Sequence, residues 1–164
     1  MNCLHNPLGE AVHIIIKVFE ETPRLRTLCG FEDGVEQIDW SKSQTGPVEV
    51  ALLAADLKAG RAIATLTSIN CLANKFGEED LATLLTAIEG TSVRSLCGLT
   101  EGQTVADFSG QNLGPIDVKI MAAEYGFQGF IAALTKIDVR NSALDADSLE
   151  TLKAASQGCE ILCD

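Results

Sequence analysis

The chain has 164 residues, 46% of them hydrophobic, which is about one domain's worth with a continuous core. Its 12 basic residues against 23 acidic ones give a formal charge of -11, which opposes nucleic-acid phosphates and anionic lipid, since both require clustered Lys and Arg. Apolar stretches such as Ile14 to Ile16 and Ile131 to Leu134 fall far short of the roughly 20 residues that cross a bilayer, so direct membrane insertion is not expected. Behind Met1 come polar and turn-forming residues, Asn2, His5, Asn6 and Pro7, with neither a signal peptide nor a transit peptide in the pattern. The expected setting is cytoplasmic and reducing, or an organelle if a targeting segment is removed.

Self-similarity organises everything that follows. Residues 2–69 align without a gap on residues 70–137, at an offset of 68. Asn2-Cys3-Leu4 falls on Asn70-Cys71-Leu72, Leu28-Cys29-Gly30 on Leu96-Cys97-Gly98, Asp39-Trp40-Ser41 on Asp107-Phe108-Ser109, and Gly46-Pro47 on Gly114-Pro115. A third, partial copy runs from Asp138 to a Leu162-Cys163 that matches Leu28-Cys29 after a two-residue deletion. Gapless repetition predicts that each copy repeats one structural path and that stacked copies share a core.

Each unit holds two smaller ones. Leu66-x-x-Ile69-x-Cys71-x-x-Asn74-x-Phe76-Gly77 fills every slot of the pattern L-x-x-L-x-L-x-x-N-x-L. Weaker versions run through Ile38-x-Trp40-x-x-Ser43, Ala106-x-Phe108-x-x-Gln111 and Ile137-x-Val139-x-x-Ser142, and Cys3-x-x-Asn6-x-Leu8 opens the series. The Asn-slot residues are Asn6, Ser43, Asn74, Gln111 and Ser142, alternately 37 and 31 apart. Alternation along each strand sends Ile69 and Cys71 inward, and Trp40 and Phe108 share an inward slot. Helical patterns follow, one around His13, one over 78–89 with Leu81, Leu84, Leu85 and Ile88 on its inner face, and one over 115–125 with Pro at its first position. Gly90, Gly126 and Gly158 suit helix ends.

On these strings the whole chain resembles the leucine-rich-repeat family, closest to the ribonuclease-inhibitor-like subtype. The resemblance implies an α/β solenoid, a right-handed β-α superhelix with about five parallel strands on the concave face and helices on the convex face. It implies a single array over 1–164, built as 1–69, 70–137 and a partial 138–164, either a fragment or an uncapped array. Two features depart from the subtype: the alternating repeat lengths, and the extra segments 26–37 and 94–105, expected as a strand-like piece plus a polar excursion at the edge of the array. The family also implies protein recognition through the concave sheet, an expectation by analogy.

Stacked in register, the outward residues would form columns. The first is Asn2, Asp39, Asn70, Asp107 and Asp138; the second includes Leu4, Leu72 and Arg140; the third is His5, Lys42, Ala73, Gly110 and Asn141. Rungs roughly 4.8 Å apart make a run of aspartates costly, and interleaved Asn lowers that cost. Such a ladder suits a partner offering Lys, Arg or amide donors, with Leu4 and Leu72 as apolar anchors. It equally suits a solvated face whose side chains bond one another.

Catalytic and metal chemistry find no pattern. The two histidines, His5 and His13, lie in no catalytic string, the glycines form no phosphate loop, and Cys159-x-x-x-Cys163 lacks a second ligand pair for zinc. Cys3 and Cys71 read as core thiols, and Glu78-Glu79-Asp80 as a helix N-terminus. No enzyme, cofactor or metal is therefore expected. Two functions stay open: a protein-protein interaction module using the concave face, and a structural or linker subunit packed into a larger assembly through its uncapped ends.

Overall fold

The structure is a computed structural model and describes residues 1–75, 77–125, 130–156 and 158–164. Phe76, expected in the last apolar slot of the repeat signature, and Gly126, expected at a helix end, lie outside the described residues. The fold is mixed α/β. Among the described residues the elements are α1 (Ala11–Glu21), β1 (Gln37–Asp39), α2 (Pro47–Ala59), β2 (Ser68–Asn70), α3 (Glu78–Ile88), β3 (Val105–Asp107), α4 (Pro115–Tyr125), a short 3-10 helix (Phe130–Ala133), β4 (Lys136–Asp138), α5 (Ala146–Ala155) and β5 (Glu160–Leu162). No described helix is long and apolar enough to cross a membrane.

The chain divides into two compact units. One comprises Met1–Gln37, Gln44–Thr67 and Asn74–Val93, and holds α1, α2 and α3. Its middle helix α2 packs against both neighbours, and Val50, Leu52, Leu53, Ala54, Ala55 and Leu57 are all buried. A helix apolar on several faces is what a position between two other helices requires. α1 is different, with Val12 and Phe19 buried but Ile14 and Val18 exposed.

The end of α1 is closed by a residue from the turn after α2. The last carbonyls of a helix lack intrahelical donors. The Arg61 guanidinium donates to the carbonyls of Phe19 (2.9 Å), Thr22 (3.2 Å), Leu25 (3.0 Å) and Glu20 (3.3 Å), and its carbon lies 4.5 Å from the centre of the Phe19 ring. Cation, dipole and ring act together here. Arg61→Met keeps the aliphatic stem and removes these donors, and should lower unfolding free energy by about 1.5–3 kcal/mol in urea titrations.

The other unit comprises Ile38–Ser43, Ser68–Ala73 and Arg94–Asp164. It carries β2 to β5, most of β1, and the packed helices α4 and α5. The strands form two small sheets, β1-β2 and β3-β4-β5. In the second the pairing is parallel, with Ala106 opposite Ile137 and Ile137 opposite Ile161. Of the inward positions Ile69, Ala106 and Ile137 are fully enclosed and Ile161 is half-buried, and Trp40 and Phe108, just past the ends of β1 and β3, are buried too.

Three helices begin by one device. Gly46, Gly77 and Gly114 stand before the first turn, and the acid three residues on takes each glycine's N–H: Glu49 at 3.0 Å, Asp80 at 2.8 Å and Asp117 at 2.8 Å. This is half of a capping box, and the acid also favours the positive helix end. The start of α3 at Glu78 and both bounds of α4 therefore fall where the pattern predicts.

Candidate binding surface

Each residue of the first predicted column begins the same local turn. The Oδ1 atom of Asn2, Asp39, Asn70, Asp107 and Asp138 accepts from the backbone N–H two residues on, that of Leu4 (3.0 Å), Ser41 (2.9 Å), Leu72 (3.2 Å), Ser109 (3.0 Å) and Arg140 (3.1 Å) respectively. These are Asx turns, which only Asn and Asp make well. One residue later the chain enters the left-handed region, with φ of 57° at His5, 55° at Lys42, 58° at Ala73, 63° at Gly110 and 56° at Asn141. The third column is thus a backbone requirement. The first column is bound primarily to its own backbone.

Nor is the column an unbroken ladder. Ser68 and Asn70 bridge to Ser95 and Cys97, and Asn2 bridges to Cys29. The Leu-Cys-Gly segments therefore supply a rung of their own beside these strands, and in the third copy β5 does the same beside β4. Gly30 and Gly98 sit at φ of 78° and 75°, where an added Cβ would come within 2.8 Å of Asn2 Cβ and 2.9 Å of Asn70 Cβ. Asn70, half-buried, lies beside Cys97 in the ladder. Asp107 does oppose Asp138, and the like charges are relieved by Arg140, which grips Asp138 through Nε (3.0 and 3.2 Å) and Nη2 (2.6 Å).

Leu72 is fully buried and has no surface to offer as an apolar anchor, while Leu4 is half-buried. Asp138 is buried and Arg140 is exposed but committed to it. Asp39 and Asp107 are the exposed acids of the column. Of the Asn-slot residues, Asn74 Oδ1 accepts from Thr45 N–H (3.1 Å) and Asn6 donates to the Leu4 carbonyl (3.1 Å), whereas Gln111 Oε1 and Ser142 Oγ are buried with no hydrogen-bond partner among the described residues.

Two buried acids were not legible as a pair in the repeat signature. Asp56, in α2, accepts from Thr27 Oγ1 (2.6 Å), Leu28 N–H (2.7 Å) and Cys29 N–H (3.0 Å). Glu124, in α4 at the same place in the repeat, accepts from Ser95 Oγ (2.7 Å), Leu96 N–H (3.1 Å) and Cys97 N–H (2.8 Å). Each acid thus anchors one Leu-Cys rung. An acid in the last half of a largely apolar helix, recurring at the repeat offset of 68, is the signal that finds them.

The electrostatics follow from these contacts. The hydrogen bonds from Ser109 hold Asp107 below the usual carboxylate range, those from Arg140 do so for Asp138, and those from Ser148 for Asp145. Burial pushes Glu124 and Asp117 the other way, against the hydrogen bonds they accept. Depressed acids stabilise the fold above their unfolded value near 3.9, and that contribution should disappear as pH falls below about 4 through the folded values. Glu124 and Asp117 contribute most below the unfolded value and lose that contribution as pH rises through the folded one. A carbon-detected NMR titration should place Asp107, Asp138 and Asp145 below, and Glu124 and Asp117 above, the model-peptide values.

Burial raises the thiols too, Cys71 to about 12, and Cys29 and Cys97 strongly, with Asp56 and Glu124 adding to it. All six cysteines are free, and Cys159 and Cys163 are the half-buried ones. Alkylation at pH 8 should therefore label these two first, and labelling of Cys29, Cys71 or Cys97 at a comparable rate would contradict the burial. Among the described residues no group of three or more His, Cys, Asp or Glu is placed to hold a metal ion. Comparison of the chain with protein-family models and with curated proteins finds no match.

Proposed function

We propose that the chain is a leucine-rich-repeat solenoid that works without catalysis, binding a protein partner through its strand side in an intracellular, reducing compartment. The observation that carries this reading is the fivefold recurrence of one strand-end device, an Asx turn followed by a left-handed residue, at the offsets of the sequence repeat. A device repeated so closely sets equivalent side chains on equivalent backbone, which suits recognition of an extended protein surface. Asp39 and Asp107, exposed and fixed by their turns, are the residues to present charge, and a net charge of -11 favours a basic partner.

The test is a pull-down from the native source with the wild-type chain and with a variant carrying Asp39→Lys and Asp107→Lys. Loss of a specific partner in the variant, with weakened binding by Asp39→Asn and Asp107→Asn, which keep the turns and remove the charge, supports the assignment. An unchanged partner set removes it from this surface. The reading as a structural subunit draws instead on Ile14 and Val18, 68% and 50% exposed along one side of α1. Ile14→Lys with Val18→Lys should dissociate the partner in that case and not in the first.

A further inference from the structure

A cavity of about 450 Å³ lies at the C-terminal ends of α2 and α3. Its α2 side is made by Leu57, Lys58, Gly60 and Ile63. At a constant spacing these correspond to Phe19, Glu20, Thr22 and Leu25, the four residues whose carbonyls receive the Arg61 guanidinium at the end of α1. On the opposite side the correspondence also holds. Gly60 caps α2 and Gly90 follows the Glu89 cap of α3, both at positive φ, 60° and 73°, and Thr91 follows Gly90 as Arg61 follows Gly60. Thr91 lines the cavity and is too short to cross it.

From this we infer that the cavity is a guanidinium site, and that it takes an arginine side chain of a protein partner. The chain fills the first notch with its own arginine and leaves the second to be filled from outside. Electrostatics favour a cation there, because two helix C-termini converge and Glu89 stands at the wall. The lining hydroxyls are turned suitably: Thr86 donates to the Ala82 carbonyl (2.9 Å), Thr91 to that of Ile88 (2.7 Å) and Ser92 to that of Ala64 (3.2 Å). The Thr91 oxygen also accepts from the Val93 N–H (3.2 Å), so the hydroxyl oxygens of Thr86 and Ser92 are the ones that offer acceptor capacity to an incoming N–H. Guanidinium is preferred to ammonium because its planar fork can meet several carbonyls at once, as Arg61 does. Two features weaken the site relative to its precedent: Leu57 replaces the Phe19 ring, and the exposed Lys58 adds a positive charge at the wall. The site is separate from the strand side and does not rest on the function proposed for it.

The test is a titration of the full chain with N-acetyl-arginine methylamide, followed by backbone amide NMR, with the lysine and citrulline analogues as controls. The expected result is a saturable millimolar response at Gly60, Gly90, Thr91 and Ser92, weaker for lysine and absent for citrulline. Thr91→Arg supplies the missing side chain from within and should abolish the response. Lys58→Glu exchanges the cation at the wall for an acid and should tighten binding roughly threefold, as expected for an exposed charge contact. No saturable response in the wild type, an equal response to lysine, or an undiminished response in a folded Thr91→Arg chain would each overturn the assignment.

Discussion

Asp56→Ala and Glu124→Ala should each lower the stability of the chain by at least about 2 kcal/mol, since every buried donor left without an acceptor costs about 1–3 kcal/mol and each substitution strands two. For Asp56 the stranded groups are the Thr27 hydroxyl and the Leu28 N–H, and for Glu124 they are the Ser95 hydroxyl and the Leu96 N–H, while the Cys29 and Cys97 N–H groups keep the Thr27 and Ser95 hydroxyl oxygens as second acceptors at 3.0 and 3.3 Å. All six donor residues are buried, so water has no easy access. Against a typical total of about 5–15 kcal/mol, either substitution takes a large share. The isosteric Asp56→Asn should also destabilise, because its amide presents N–H groups to Thr27 or Cys29 where an acceptor is needed. Urea midpoints for the three variants decide the point. A shift within about 0.5 kcal/mol, the range of an ordinary surface change, would mean that the acids do not hold the rungs.

Leu72→Ala and Leu4→Ala make the second test, because the two leucines occupy one position of the repeat and differ in burial. Leu72 is fully enclosed, and truncating it should cost about 2–5 kcal/mol from lost transfer energy and the cavity left behind. Leu4 is half-buried and should cost distinctly less. If the two costs are equal, the burial difference has no energetic weight. Thermal denaturation of the two variants under one set of conditions gives the comparison.

These variants also mark where the sequence was informative. Inward slots were legible because strand alternation leaves a strict pattern: Ile69, Cys71, Trp40, Phe108 and Ile137 are all buried. Helix starts were legible where Gly and Pro punctuate the chain, as at Gly114-Pro115. The outward column was legible as a column, but its purpose was not. Asp39 and Asp107 read equally as a docking ladder or as a solvated face, and what they do first is close their own turns. That outcome depends on the backbone N–H two residues on, which a column drawn across repeats ignores.

The Leu-Cys-Gly segments were legible as strand-like and not as rungs. Their place is fixed by partners far along the chain, Asp56 for 27–29 and Glu124 for 95–97, and a signature read in windows of about a dozen residues does not reach that far. Leu72 shows the converse error, since an outward slot does not stay outward when other parts of the fold cover it.

The acid anchors also bear on how such a chain can grow or shrink. Thr27 to Cys29 precede one strand and helix, and their acceptor Asp56 follows in that helix; Ser95 to Cys97 and Glu124 stand in the same relation. A cut that removed only the smaller repeat would separate donors from acceptor, whereas removal of a whole 68-residue unit would take both together. The 68-residue unit is therefore the length that keeps each acid with its donors. Excising residues 2–69 should leave a shorter chain that still folds, and excising half that length should leave one that does not.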